Sequence, residues 1–277
     1  MAFSPDQNPL ITLNSGQRIP QLGLGVYKVA QDIADTLVIK AIEAGYRRFD
    51  TAALYDNELE VGSGIRKSGL PRSEVFVTTK IWNDRQGYEN ALEAIDESLD
   101  RLKLDYVDML MIHWPVPSQD KYVDTWRAFQ EVLKDGRVKG IGVSNFQPAH
   151  LDKLAASSSI VPSINQVELN PGFQQEQVRH YNANHGIATE AWSPIGRGKF
   201  GQDPSLLAIA ANHGKSVSQV IIRWHIQLGN LVIPKTSNPD RLVENIDVFD
   251  FELTQGEMTL IAGLETGQRY GISPDDQ

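Results

Sequence analysis

The sequence predicts an α/β protein, a closed (β/α)8 TIM barrel with an N-terminal β-hairpin and an irregular C-terminal tail. Three observations predict it. Short apolar runs rich in β-branched residues alternate with segments of helical periodicity along nearly all of the 277 residues. The apolar runs number eight, and strand–helix alternation implies a parallel sheet. Runs such as Val107–Ile112 are almost unbroken, as strands covered on both faces must be. A single α/β barrel commonly fills about 250 residues, so residues 1–277 are expected to form one domain.

The elements follow in order. Leu10–Pro20 reads as two short strands around an Asn14-Ser15-Gly16 turn, where Asn and Gly tolerate the positive φ of a tight hairpin. The predicted barrel strands are Leu22–Gly25, Arg47–Asp50, Val75–Thr79, Val107–Ile112, Val138–Val143, Ile164–Val167, Ile187–Ala191 and Leu231–Ile233. The predicted helices are Asp32–Ala44, Glu58–Lys67, Tyr88–Leu102, Tyr122–Lys134, Pro148–Ala156, Gln175–Asn184, Ser205–His213 and Ser216–Leu228, with a short piece near Gln255–Leu264 in the tail. Ser216 with Gln219 forms a capping box, and Asp135-Gly136 closes the fourth helix.

Composition narrows the function. Lys plus Arg is 26 against 35 for Asp plus Glu, a net charge of −9. An acidic chain has no overall attraction for nucleic acid or an anionic membrane, so any anionic ligand needs a local basic site. Cysteine is absent, which excludes disulfides, thiol nucleophiles and cysteine-based metal sites. The start, Met1-Ala2-Phe3-Ser4-Pro5, lacks the pattern of a signal peptide, and no apolar stretch is long enough for a membrane span. A cytoplasmic monomer acting on a small molecule is expected.

In such barrels the active site lies at the carboxyl ends of the strands. Asp50 and Tyr55 follow the second strand, Lys80 the third and His113 the fourth. A phenol with a reference pKa of about 10 gives up its proton reluctantly. A nearby ammonium lowers that value, and Lys80, held by Asp50, is placed to do so. His113 can donate to a substrate oxygen. The set suits protonation of a carbonyl oxygen while a hydride reaches its carbon. Taken singly, Asp50 reads equally well as a helix cap, Tyr55 as packing and His113 as a core histidine. Convergence of all four on one face of three consecutive strands shifts the weight.

Several motifs then stand in order: Gly45–Tyr55, Thr79–Trp82, Leu110–Pro115, Gly140–Phe146, Asn165–Glu168 and Pro234–Ser237 with Arg241, Glu244 and Asn245. In these the chain resembles the aldo-keto reductases throughout its length. The His113-Trp114-Pro115 and Trp192-Ser193-Pro194 triplets bring it nearest the bacterial 2,5-diketo-D-gluconate reductase branch, which also resembles protozoal prostaglandin F synthases. The resemblance implies one aldo-keto reductase barrel domain and NADPH as cofactor, with no metal. It makes Tyr55 the proton donor, tuned by Lys80 and Asp50, with His113 orienting the carbonyl. Ser144, Asn145 and Gln166 would bind the nicotinamide carboxamide and Trp192 would stack on the ring, where many relatives have Tyr. Lys235, Thr236 and Arg241 would hold the 2′-phosphate, and Glu244 and Asn245 the adenine. Gly25, Val26, Tyr27, Asp50, Ser193, Pro194, Ile195, Gly196 and Ser237 complete the implied cofactor site.

The residues support NADPH on their own account. Lys235 and Arg241, six positions apart, join a hydroxyl and free helix N-terminal amides in an anion site. Gly196–Gly201 fits a dinucleotide fingerprint literally but follows the seventh strand, and Asp203-Pro204 is not expected to open a helix there. It reads as a flexible loop over the pyrophosphate, with Arg197 and Lys199 as available cations. His180 and His185 lack the spacing of a helical zinc pair and read as surface residues. Tyr27, Trp82 and Trp114 are the expected pocket walls under the arching tail, with Asn83 and His113 bonding the substrate. Small aldehydes, ketones and dicarbonyls suit such walls. A nicotinamide-sensing regulatory barrel is the alternative from another class. A glycosidase would use two opposed carboxylates, Asp50 with Glu168 or Glu190, but leaves Tyr55 and Lys80 unexplained.

Overall fold

The computed structural model describes residues 4–277, so the reading of Met1-Ala2-Phe3 as part of no signal peptide falls outside the described residues. The hairpin forms as expected, β1 (Leu10–Thr12) antiparallel to β2 (Arg18–Pro20), with Gly16 at φ +83 in its turn. Eight parallel strands follow: β3 (Leu24–Gly25), β4 (Arg48–Asp50), β5 (Phe76–Ile81), β6 (Met109–Ile112), β7 (Ile141–Ser144), β8 (Ile164–Glu168), β9 (Ala188–Trp192) and β10 (Leu231–Val232). Each pairs with its sequence neighbour. Parallel bridges Leu22–Val232 and Gly25–Lys235 join the first strand to the last and close the barrel. Gly25 allows that closure, because a Cβ there would press on the Ile233 carbonyl oxygen at 3.1 Å.

The helices are α1 (Gln31–Glu43), α2 (Glu58–Lys67), α3 (Tyr88–Leu102), α4 (Tyr122–Asp135), α5 (Pro148–Ser157), α6 (Glu176–Asn184), α7 (Pro204–His213), α8 (Val217–Gln227), α9 (Pro239–Ile246) and α10 (Gln255–Ala262). The capping box at Ser216 and Gln219 is present, and Gly136 ends α4 at φ +87. Among the described residues no helix is long and apolar enough to cross a membrane.

Three corrections to the predicted elements have physical causes. The Val107–Ile112 run pairs continuously only from Met109, because the Asp108 carboxylate takes the Val77 amide at 2.8 Å and Arg72 at 2.7 Å. The third strand extends past Thr79 to Ile81, which puts Lys80 inside the ladder rather than beyond it. Asp203, not expected to start a helix, caps α7 by accepting from the amides of Ser205 and Leu206.

The hairpin plugs the barrel floor. Leu13 and Ile19 pack with Phe76, Met109, Met111, Ile164 and Leu231. The Pro20 carbonyl accepts from the Arg48 guanidinium inside the barrel at 3.1 Å. The mouth is left as the open end.

Candidate active site

The strand ends deliver the polar residues to one cavity of about 740 Å3 at the barrel mouth. Lys80 projects from β5 and is fully buried, with its Nζ 2.5 Å from Asp50 Oδ1, 3.0 Å from the Thr51 carbonyl and 3.3 Å from the Tyr55 hydroxyl. Tyr55 reaches it from a short 3-10 turn, Ala53–Tyr55, that follows β4 and ends at Asp56 with φ +54. Buried Asn57 fixes this turn: it accepts from Thr51 and donates to the carbonyls of Val26 and Val29. The same contacts tie down the loop carrying Tyr27, whose ring centre lies 5.0 Å from that of Tyr55.

Burial and charge act against each other on these groups. Burial pushes the Tyr55 phenol up to about 12, outweighing the lowering by Lys80. The expected effect of the ammonium is present, but the phenol stays protonated at neutral pH. Burial pulls Lys80 down, and Asp50 and Tyr55 together more than restore it, so the ammonium ends above its ordinary value. His113 is held well below its ordinary value by burial and by Lys80, and is neutral. Its Nδ1 is buried with no partner among the described residues, which favours the tautomer with the proton on Nε2. The ring packs edge-on to Trp82 at 5.0 Å and to Tyr55 at 5.6 Å.

The structure brings together Gly25, Tyr27, Asp50, Tyr55, Trp82, His113, Trp114, Ser144, Asn145, Gln166, Trp192, Ser193, Pro194 and Ile195 around this cavity, with Lys235 at its edge. Trp192 Nε1 donates to Asn145 Oδ1 at 2.8 Å, and Asn145 Nδ2 donates to the His113 carbonyl and to Ser144 Oγ. Ser144 donates to the Gln166 carbonyl at 2.9 Å. Thus the Ser144 and Asn145 side chains bond each other, while Ser144 reaches only the main chain of Gln166.

Other expected residues lie outside the lining. Asn83 opens a 3-10 turn, Asn83–Arg85, next to Trp82 and is not among the residues lining the cavity; its Oδ1 is buried with no partner among the described residues. Val26 and Gly196 are buried and not among the lining residues. Thr236, Ser237, Arg241, Glu244 and Asn245 stand on the following loop and α9, beyond the cavity. The helix start offers fewer amides than expected. Pro239 has no N–H, and Asn238 Oδ1 accepts from Asp240. The Thr236 hydroxyl is taken up with Asn238, and Glu244 accepts from Ser216. Lys199 is not free over the loop, since it sits 4.1 Å from the Tyr270 ring centre. His180 and His185 are exposed.

Sequence reasoning missed Lys28, Asn57 and the exact tail contacts. Lys28, at φ +56, lines the mouth with Arg197 and Lys235. Among the described residues none of the three has a carboxylate partner, and burial together with Lys28 lowers Lys235. Three unneutralised cations at the mouth of an acidic protein fit a polyanion such as a dinucleotide. The tail closes one side. Glu168, fully buried, accepts from the amides of Tyr270 at 2.8 Å and Gly271 at 2.9 Å, and holds Gly271 against the Trp192 ring. Of the carboxylates of the glycosidase reading, Asp50 and Glu190 each bind a cation, Lys80 and Arg48, and Glu168 is taken up by the amides of the tail.

The comparisons agree with this geometry. The aldo/keto reductase family model matches residues 21–266. An aldo-keto reductase of Mycolicibacterium smegmatis is 52% identical over 267 residues, covering 96% of this chain and 97% of the relative. The glyoxal reductase of Bacillus subtilis is 48% identical over 267 residues, covering 96% of each. A variant of Gox0644 solved in complex with NADPH superposes with a TM-score of 0.94 at 43% identity, covering 98% of each chain. With barrel, mouth and motifs all in agreement, this chain belongs to the aldo/keto reductase family.

Proposed function

We propose that this chain, one barrel domain acting as a cytoplasmic monomer, reduces small aldehydes, ketones or dicarbonyls to alcohols with NADPH. The observation that carries the reading is the contact of the Tyr55 hydroxyl with buried Lys80, itself paired with Asp50, in a cavity shared with His113, Gln166 and Trp192. NADPH in a structural neighbour and glyoxal as a relative's named substrate support the cofactor and a dicarbonyl substrate; 2,5-diketo-D-gluconate is a further candidate of that class.

The bound cofactor supplies the hydride. Tyr55 holds the proton at its hydroxyl until the carbonyl oxygen gains charge, then gives it up. Lys80 Nζ stabilises the phenolate left behind, and Asp50 keeps that ammonium charged and in place. Neutral His113 points an N–H at the same oxygen. Trp192 would stack on the nicotinamide ring, while Lys28, Arg197 and Lys235 would bind phosphate charge. Tyr27, Trp82 and Trp114 exclude water and give apolar contact.

Tyr55→Phe tests the reading by NADPH absorbance with glyoxal and other carbonyls. Loss of one proton donor should lower kcat by about 10²-fold or more, with NADPH binding retained. Turnover near the wild-type rate would end the proposal. Binding of NADPH without turnover by the wild type would favour the sensing barrel.

A further inference from the structure

Beneath the mouth lies a second buried ion pair. Arg48 on β4 and Glu190 on β9 are both fully buried and bond directly. Gln166 on β8 stands between this pair and the Lys80–Asp50 pair. Its Nε2 donates to Asp50 Oδ2 at 2.8 Å and to Glu190 Oε2 at 3.0 Å. Two carboxylates on one nitrogen fix the amide orientation, since only the NH2 group can face both. Its Oε1 takes no hydrogen bond among the described residues and is not fully buried, so it faces the cavity that Gln166 lines.

We infer that Glu190, held by Arg48, is a positioning residue: with Asp50 it locks the Gln166 amide so that Oε1 is presented as an acceptor to the amide N–H of a carboxamide-bearing ring. The inference rests on the NADPH reading above. Asp50 alone takes one N–H and leaves the amide free to turn. Glu190 takes the second and removes the alternative in which an NH2 group faces the ligand. Burying a second ion pair is costly in itself, and here its carboxylate completes the hold on a residue lining the cavity. Arg48 is itself held from below by the Pro20 carbonyl, so the acid cannot swing away.

The test compares three ligands by calorimetric titration of the full chain: NADP+, its 3-acetylpyridine analogue, which lacks the amide N–H, and adenosine 2′,5′-bisphosphate, which lacks the ring. The wild type should prefer NADP+ over the analogue by roughly tenfold, the worth of one hydrogen bond. Glu190→Gln puts a second NH2 group against either Gln166 or Arg48. It should bring that preference to about twofold or less, with affinity for the bisphosphate unchanged. A purely structural role would lower all three affinities together or none. Arg48→Leu with Glu190→Leu removes both buried charges, which keeps folding from deciding the outcome, and should reduce the preference in the same direction. A preference retained in both variants overturns the inference alone. Wild-type protein that binds none of the three overturns the NADPH reading and this inference with it.

Discussion

Asp50→Asn removes the charge that neutralises Lys80. The ammonium is fully buried, 2.5 Å from Asp50 Oδ1. Its other partners, the Thr51 carbonyl and the Tyr55 hydroxyl, carry no charge. Breaking a buried pair in this way costs about 3–5 kcal/mol, because the remaining charge stays in a low dielectric. At about 2 °C per kcal/mol for a chain of this size, Tm should fall by roughly 6–10 °C at pH 7. The pH dependence follows from the sign of the shift. In the wild type Lys80 is raised overall, so its contribution is complete below the unfolded lysine value of about 10.4 and is lost as pH rises through the folded value. Without Asp50, burial dominates and depresses Lys80, so the variant gains by losing the proton. The Tm difference should therefore shrink between pH 7 and about pH 10. Scanning calorimetry across that range, with kcat measured beside it, checks both parts. A difference below about 2 °C at pH 7, or one that does not change with pH, would refute the reasoning.

Two further outcomes are expected. Gly62→Ala places a Cβ 1.9 Å from the Leu102 carbonyl oxygen at the end of α3; α2 must back away, at about 3 kcal/mol, and an unchanged urea midpoint would contradict the packing described. Buried His225, bonded to the Pro194 carbonyl, is pulled by burial from 6.5 to about 3. The unfolded chain therefore takes a proton first, and stability present above pH 6.5 is lost at about 1.4 kcal/mol per pH unit down toward the folded value. His225→Gln should flatten Tm over that acid window, and an equally steep profile would show that other groups govern it.

Local pattern made the helices legible. Glu58–Lys67 and Tyr88–Leu102 form with the predicted bounds, because their apolar faces repeat at helical spacing between clear breaks. Strand limits depend on a partner, and that information is not local. Asp108 diverts the Val77 amide and shortens one ladder, while β5 continues to Ile81 because β6 offers Ile112 opposite it. The mouth residues Asp50, Tyr55, Lys80 and His113 were readable because each follows or ends an apolar run. Lys28 and Asn57 lie in loops whose path only the closed barrel fixes. Glu190 was visible in the sequence only as a spare carboxylate, since its partner Arg48 stands 142 positions earlier.

The plugging hairpin reaches further than its position suggests. Its last residue, Pro20, steadies Arg48, Arg48 grips Glu190, and through Gln166 and Asp50 the chain of contacts climbs to Lys80 beside the phenol. Trimming those opening strands would do more than expose oily side chains. It would admit solvent from beneath and loosen the lowest rung of an ionic ladder, so damage at the foot of the molecule would register at its reactive rim.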